Sequence, residues 1–205
     1  MTSLKTFPAI FLCCLLLIII NFPASAQTSR ASTSEQSTET FVTENMKGCD
    51  FLVDFPSSPL ISRNCVDTEQ DDVRSGQDCS HKAEFTKVYI GQATIEVTAI
   101  CKPASADDLQ KYSEQEMKAT LTQRAEKNEI STYDTYSGTA DDGTKFAIMT
   151  GAKEQDGNAD VIMTQIWISE KSFFSISGVI QGISSDKIDR VFSRIMRSVR
   201  RVEAE

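Results

Sequence analysis

The residues of this chain whose types could do chemistry are few: six cysteines, a single histidine, His81, and a row of arginines, Arg190, Arg194, Arg197 and Arg201. Cys13 and Cys14 lie inside an apolar run, Ala9–Ile20, and have no polar neighbours to work with. Cys49, Cys65, Cys79 and Cys101 are separated by 15, 13 and 21 residues. No Cys-x-x-Cys pair is among them, which argues against a zinc site and against a thiol–disulfide oxidoreductase. Four, an even number, is most simply two disulfides if the chain leaves the cytoplasm. One histidine is too few for a His-Glu-x-x-His metal hydrolase, and no Gly-x-Ser-x-Gly turn marks a nucleophile. The paired acids Asp107-Asp108 and Asp141-Asp142 could serve a glycosidase, but their neighbours are those of a helix N-terminus and a turn. Asp67, Glu69, Asp71, Asp72 and Asp78 lack the spacing of a calcium loop and read as a solvated stretch. The chain therefore reads as non-enzymatic, with no cofactor and no metal; the alternative is a hydrolase with an unrecognised site.

The N-terminal segment says where the cysteines go. Lys5, the apolar run and the small-x-small signal Ala24-Ser25-Ala26 make residues 1–26 a secretory signal peptide, or an N-terminal anchor if it is not cut. Without it the chain carries 20 basic and 29 acidic residues. A net negative domain is a poor match for nucleic acid or an anionic membrane as a whole, and after residue 26 no run is apolar enough to span a membrane. Residues 27–46 are rich in Ser, Thr and Glu and read as a disordered lead-in. Residues 47–201 are then one α+β domain, exported to a periplasm or secreted.

Two hairpins can be put in register. With Glu170-Lys171 as a two-residue loop, Trp167 faces Phe174. Val161, Met163, Trp167, Phe174, Ile176 and Ile180 then share one side, and Ile162, Ile166, Ile168, Phe173 and Val179 the other. Both sides are apolar, so both need a cover. Trp167 and Phe174 are either core or the lining of a small-molecule or lipid pocket. The second hairpin joins Cys79–Lys87 to Ala93–Cys101 through a loop Tyr89-Ile90-Gly91. That register sets Cys79 opposite Cys101 and predicts their disulfide. By exclusion Cys49 pairs with Cys65, across a first hairpin turned by Pro56-Ser57-Ser58-Pro59 that must shift by one residue to align them.

Helices flank these strands. Ser105-Ala106-Asp107-Asp108 starts one that runs to about Glu126. Ser184 or Ser185 starts another, in which Ile188, Val191, Phe192, Ile195 and Val199 make the buried stripe. Lys187, Arg190, Arg194, Arg197 and Arg201 fall on the opposite face, as a solvated edge or as a docking strip for an acidic protein or anionic lipid.

The phrases "CDFLVDFPSSPLI" and "IWISEKSFFSISGVIQG…IDRVFSRIMRSV", in this order of elements, resemble the PsbP-like group. It holds the extrinsic photosystem II subunit PsbP, a Ran-binding nuclear import factor, and exported bacterial proteins of the DcrB and LpqN type. The resemblance implies an α/β/α sandwich around an antiparallel sheet and a non-enzymatic role. It transfers no functional residue, and the four cysteines depart from its pattern. The expected partner is an envelope protein.

Overall fold

The computed structural model describes residues 39–66, 78–155 and 157–202. The signal-type segment, the lead-in as far as residue 38 and the acidic stretch 67–77 lie outside the described residues. The elements run β1 (Val42–Asn45), β2 (Phe51–Phe55), β3 (Leu60–Val66), β4 (Asp78–Tyr89), β5 (Ala93–Pro103), α1 (Ala106–Lys111) and α2 (Glu114–Lys127). Then follow β6 (Ser131–Thr139), β7 (Lys145–Gln155), β8 (Asn158–Ile168), β9 (Ser172–Gly182), α3 (Asp186–Arg197) and β10 (Arg200–Arg201). Seven strands form an antiparallel sheet in the order β3-β4-β5-β9-β8-β7-β6, and β1-β2-β10 form a small second sheet. The fold is α+β.

Both faces of the large sheet are apolar, and each has its own cover. On one, Met117, Leu121 and Ala125 of α2 pack on Ala147, Met149, Ile166 and Ile168. On the other, α3 (Ile188, Val191, Phe192, Ile195, Met196) and the small sheet (Phe51, Val53, Phe55) pack on Ile95, Val97, Ala99, Phe174, Ile176 and Ile180. Gly178 lets α3 come this close: a Cβ there would sit 2.7 Å from the Phe192 ring and 2.9 Å from Met196 Sδ.

The β8–β9 hairpin has the expected register, with Trp167 opposite Phe174. The β4–β5 hairpin does not. Its pairs sum to 182 rather than 180, so His81, not Cys79, faces Cys101. The turn is Ile90–Gln92, with Gly91 at φ +71° in its middle and Gln92 N–H donating to the Tyr89 carbonyl at 3.0 Å. A slip of two keeps every side chain on its face while changing every partner.

The disulfides follow the real partners. They are Cys49–Cys101 and Cys65–Cys79, not Cys79–Cys101 and Cys49–Cys65. Cys65 faces Cys79 across β3–β4 with Cα atoms 4.0 Å apart. The expected hairpin of β2 with β3 is absent; β2 lies between β1 and β10 instead. Its alternation was read correctly, but period 2 fixes a face and not a neighbour. Val42–Asn45 is strand and Met46 is buried, so order begins within the stretch read as a disordered lead-in. The first helix is two. Ser113 and Glu116 make a second capping box directly after the one at Ser105 and Asp108, and the chain breaks between them. Lys145 Nζ donates to the Leu109 and Tyr112 carbonyls, at 2.8 and 2.7 Å, and holds that break against β7.

Candidate functional site

The arginine row is shorter than its spacing suggested. Helix α3 stops at Arg197, where Ser198 Oγ donates to the Ile195 carbonyl and accepts the Asp54 N–H at 2.8 Å. Arg201 therefore leaves the stripe. It lies on β10 opposite Phe51, with Nε 3.0 Å from Asp50 Oδ2 and Nη1 3.3 Å from Asp142 Oδ2. Arg194 is also engaged, its guanidinium 3.8 Å from the centre of the Phe41 ring. Arg190 and Arg197 are exposed and, among the described residues, have no carboxylate within ion-pair distance. With Asp189, Ser193 and Arg194 they line a shallow groove along α3.

Trp167 and Phe174 face each other across β8 and β9, and each ring packs on a different neighbour. Phe174 is fully buried, its ring centre 5.3 Å from that of Phe51. Trp167 stacks on Phe146 at 4.9 Å, and its indole N–H donates to Gln165 Oε1 at 3.0 Å. Gln165 Nε2 in turn donates to the Met196 carbonyl at 2.6 Å, fixing the end of α3 to β8. Beyond Trp167 the cover thins. The register puts Tyr136, Phe146, Ile148, Met163 and Trp167 on the same face. Four of them are half-buried and Tyr136 is 48% exposed. Gly138 gives the Phe146 ring its place, since a Cβ there would lie 3.0 Å from it. This aromatic shelf beside α3 was missed in the sequence. Phe146 and Ile148 showed only that β7 is apolar, and not that, among the described residues, no helix lies over this part of the sheet.

A cleft of about 800 Å³ opens where the small sheet meets the β6–β7 and β8–β9 turns, lined by Asn45, Asp50, Asp142, Lys171, Arg201 and Val202 among others. Its centre is an ion triad rather than a nucleophile and base. Burial alone would raise the Asp142 carboxyl, but the Thr144 N–H at 3.0 Å and the Arg201 guanidinium outweigh it and hold it below the ordinary carboxylate range. Asp54 behaves alike: burial raises it, and the Thr43 hydroxyl, Arg200 and Arg194 bring it down. A carboxyl lowered in the folded state contributes stability that is complete above its unfolded titration and is lost as pH falls through the lowered value. Urea midpoints are therefore expected to be flat from neutral pH down to the carboxylate range and to drop below it. In Arg201→Met that acid drop becomes shallower. An unchanged acid slope in the variant would remove the pair from the account.

No protein-family model and no curated protein matches the chain. Among solved structures, it is similar to the cyanobacterial PsbP (CyanoP) of Synechocystis sp. PCC 6803, with 9% identity, a TM-score of 0.46, and coverage of 84% of this chain and 98% of that one. It is also similar to PA94 of Pseudomonas aeruginosa, a protein of unknown function titled a putative regulator, with 9% identity, a TM-score of 0.42, and coverage of 80% and 99%. Among the described residues no helix is long and apolar enough to cross a membrane, and no cluster of three or more His, Cys, Asp or Glu could hold a metal. Two of the four acids weighed for glycoside chemistry have other work. Asp108 caps α1 and Asp142 pairs with Arg201.

Proposed function

We propose that this chain is an exported, non-enzymatic accessory domain that binds an envelope protein partner through the outer edge of α3 and the aromatic shelf beside it. The observation that carries this is the pairing of chemistries on one face. Arg190 and Arg197 have no carboxylate partner among the described residues, and Tyr136, Phe146, Ile148, Met163 and Trp167 are only partly covered on the sheet face against which α3 packs. Aromatic residues, methionine and arginine are the types enriched at protein interfaces. The partner they fit is a protein segment carrying apolar side chains flanked by acids. Export is supported by the signal-type segment in the sequence and by two disulfides, which persist in oxidising compartments.

The test is affinity capture from the host's own envelope extract, followed by binding measurements with the purified candidate. Arg190→Glu with Arg197→Glu, and separately Tyr136→Ser with Ile148→Ser, are each expected to weaken binding about tenfold or more. A candidate that binds both variants as well as it binds the parent would overturn the reading, as would an extract that yields none.

The small-molecule or lipid reading has less support. Of the aromatic pair expected to line its pocket, Phe174 is fully buried against Phe51, and Trp167 is half-buried and stacked on Phe146.

A further inference from the structure

The corrected β4–β5 register assembles a feature that no motif announced. Arg63 on β3 faces His81 on β4, and His81 faces Cys101 on β5, so the three stand in one row on one face of the sheet. The Cys49–Cys101 disulfide ties the end of the Lys47-Gly48 turn to that row. Lys102 lies at the end of β5. Lys47, Arg63, His81 and Lys102 line a pocket of about 200 Å³, with Cys79 and Cys101 of the two disulfides in its wall. Among the described residues no carboxylate lines it.

The charge balance makes this unusual. The chain carries 29 acidic and 21 basic residues. Yet Lys47, Arg63 and the chain's single histidine line this pocket, and among the described residues none of them has an ion-pair partner. The nearby Lys82–Glu84 pair sits at the alternate positions of β4, on the opposite face from His81. Arg63 is oriented by a contact of its Nη2 with Cys79 Sγ at 2.9 Å. Its other N–H groups have no partner among the described residues. Unneutralised cations set around a concavity, with one guanidinium already oriented, are a preformed site for an anion.

We propose that this pocket binds an oxyanion, a phosphate or carboxylate group, through Arg63, His81 and Lys47. The guanidinium supplies directed N–H donors, and Lys47 supplies charge at the rim, where it is exposed. Its volume takes the anionic head of a ligand and leaves the remainder outside.

His81 is the only histidine in the chain, so its ring gives its own resonances in a proton spectrum. The experiment titrates the full-length chain, disulfides formed, with inorganic phosphate in one arm and sodium acetate in the other, at fixed pH and with chloride holding ionic strength constant. A saturable movement of the His81 ring signals is expected in at least one arm, and the arm that moves them at lower concentration names the class. Arg63→Gln with Lys47→Gln is expected to weaken that binding about tenfold or more. Both positions are exposed, and an unchanged amide spectrum verifies the fold. Lys82→Gln, on the other face, leaves the affinity as it was. No saturable movement in either arm, or equal affinity in the double variant, overturns the proposal.

Discussion

Replacing Cys49 and Cys101 together with alanine is expected to lower the free energy of unfolding by about 4 kcal/mol, because the cross-link removes the closure entropy of a long loop from the unfolded chain. The two half-cystines are 52 residues apart, and both are buried in the core shared by the small sheet and the large one. Cys65→Ala with Cys79→Ala removes a loop closed over only 14 residues, worth about 3 kcal/mol on the same model. That pair also sits at an edge hairpin, where β3 is exposed along most of its length. Its real loss should fall below that figure, because a hairpin that stays partly formed in the unfolded chain gains little from the link. Urea unfolding under non-reducing conditions, followed by the fluorescence of the single tryptophan, measures both. The ordering is the test. A Cys65/Cys79 variant that loses more than the Cys49/Cys101 variant would mean that the sheets are not held together through Cys49.

Why that pairing was hard to read is a matter of what a side-chain pattern encodes. The β8–β9 register was legible because Glu170-Lys171 leaves one reasonable loop, and the structure has Ser169 N–H bonded to the Ser172 carbonyl across it. The α3 face was legible because its buried residues repeat at helical spacing up to Ile195. At Tyr89–Ala93 a loop with Gly91 in the middle fits the sequence as well as one with Gly91 last. The two differ by two residues in partner and by nothing in face. The core was therefore read correctly and the disulfides were not. The anion pocket was hidden for the same reason, since the row Arg63–His81–Cys101 exists only in the true register. The loss of Arg201 from the stripe has a different origin. Helical periodicity carries no information about where a helix stops, and Ser198 stops this one by capping Ile195 and binding Asp54. The break at Tyr112 was the reverse case. Ser113 and Glu116 spell a capping box in plain sequence.

Phe174→Ala is expected to cost about 3–5 kcal/mol, the range for emptying a fully buried aromatic position. Three structural parts meet at this ring. It stacks on Phe51, which brings in the small sheet; it faces Cys101 on β5, which carries the inter-sheet disulfide; and it faces Trp167 on β8, which begins the aromatic shelf. Its side chain has no exposed surface, so the lost contacts cannot be replaced by water without opening a cavity among apolar neighbours. For a domain whose total stability is of the order of 5–15 kcal/mol, that is a large share of what holds it folded. Trp167→Ala should cost less, because Trp167 keeps one side open beside Phe146. Urea denaturation measured by circular dichroism compares the two without relying on the tryptophan signal. If Phe174 lined a ligand pocket, its truncation would leave unfolding almost unchanged and alter only binding. A cost under about 1 kcal/mol is too small for a core aromatic, and it would return Trp167 and Phe174 to the role of a binding wall.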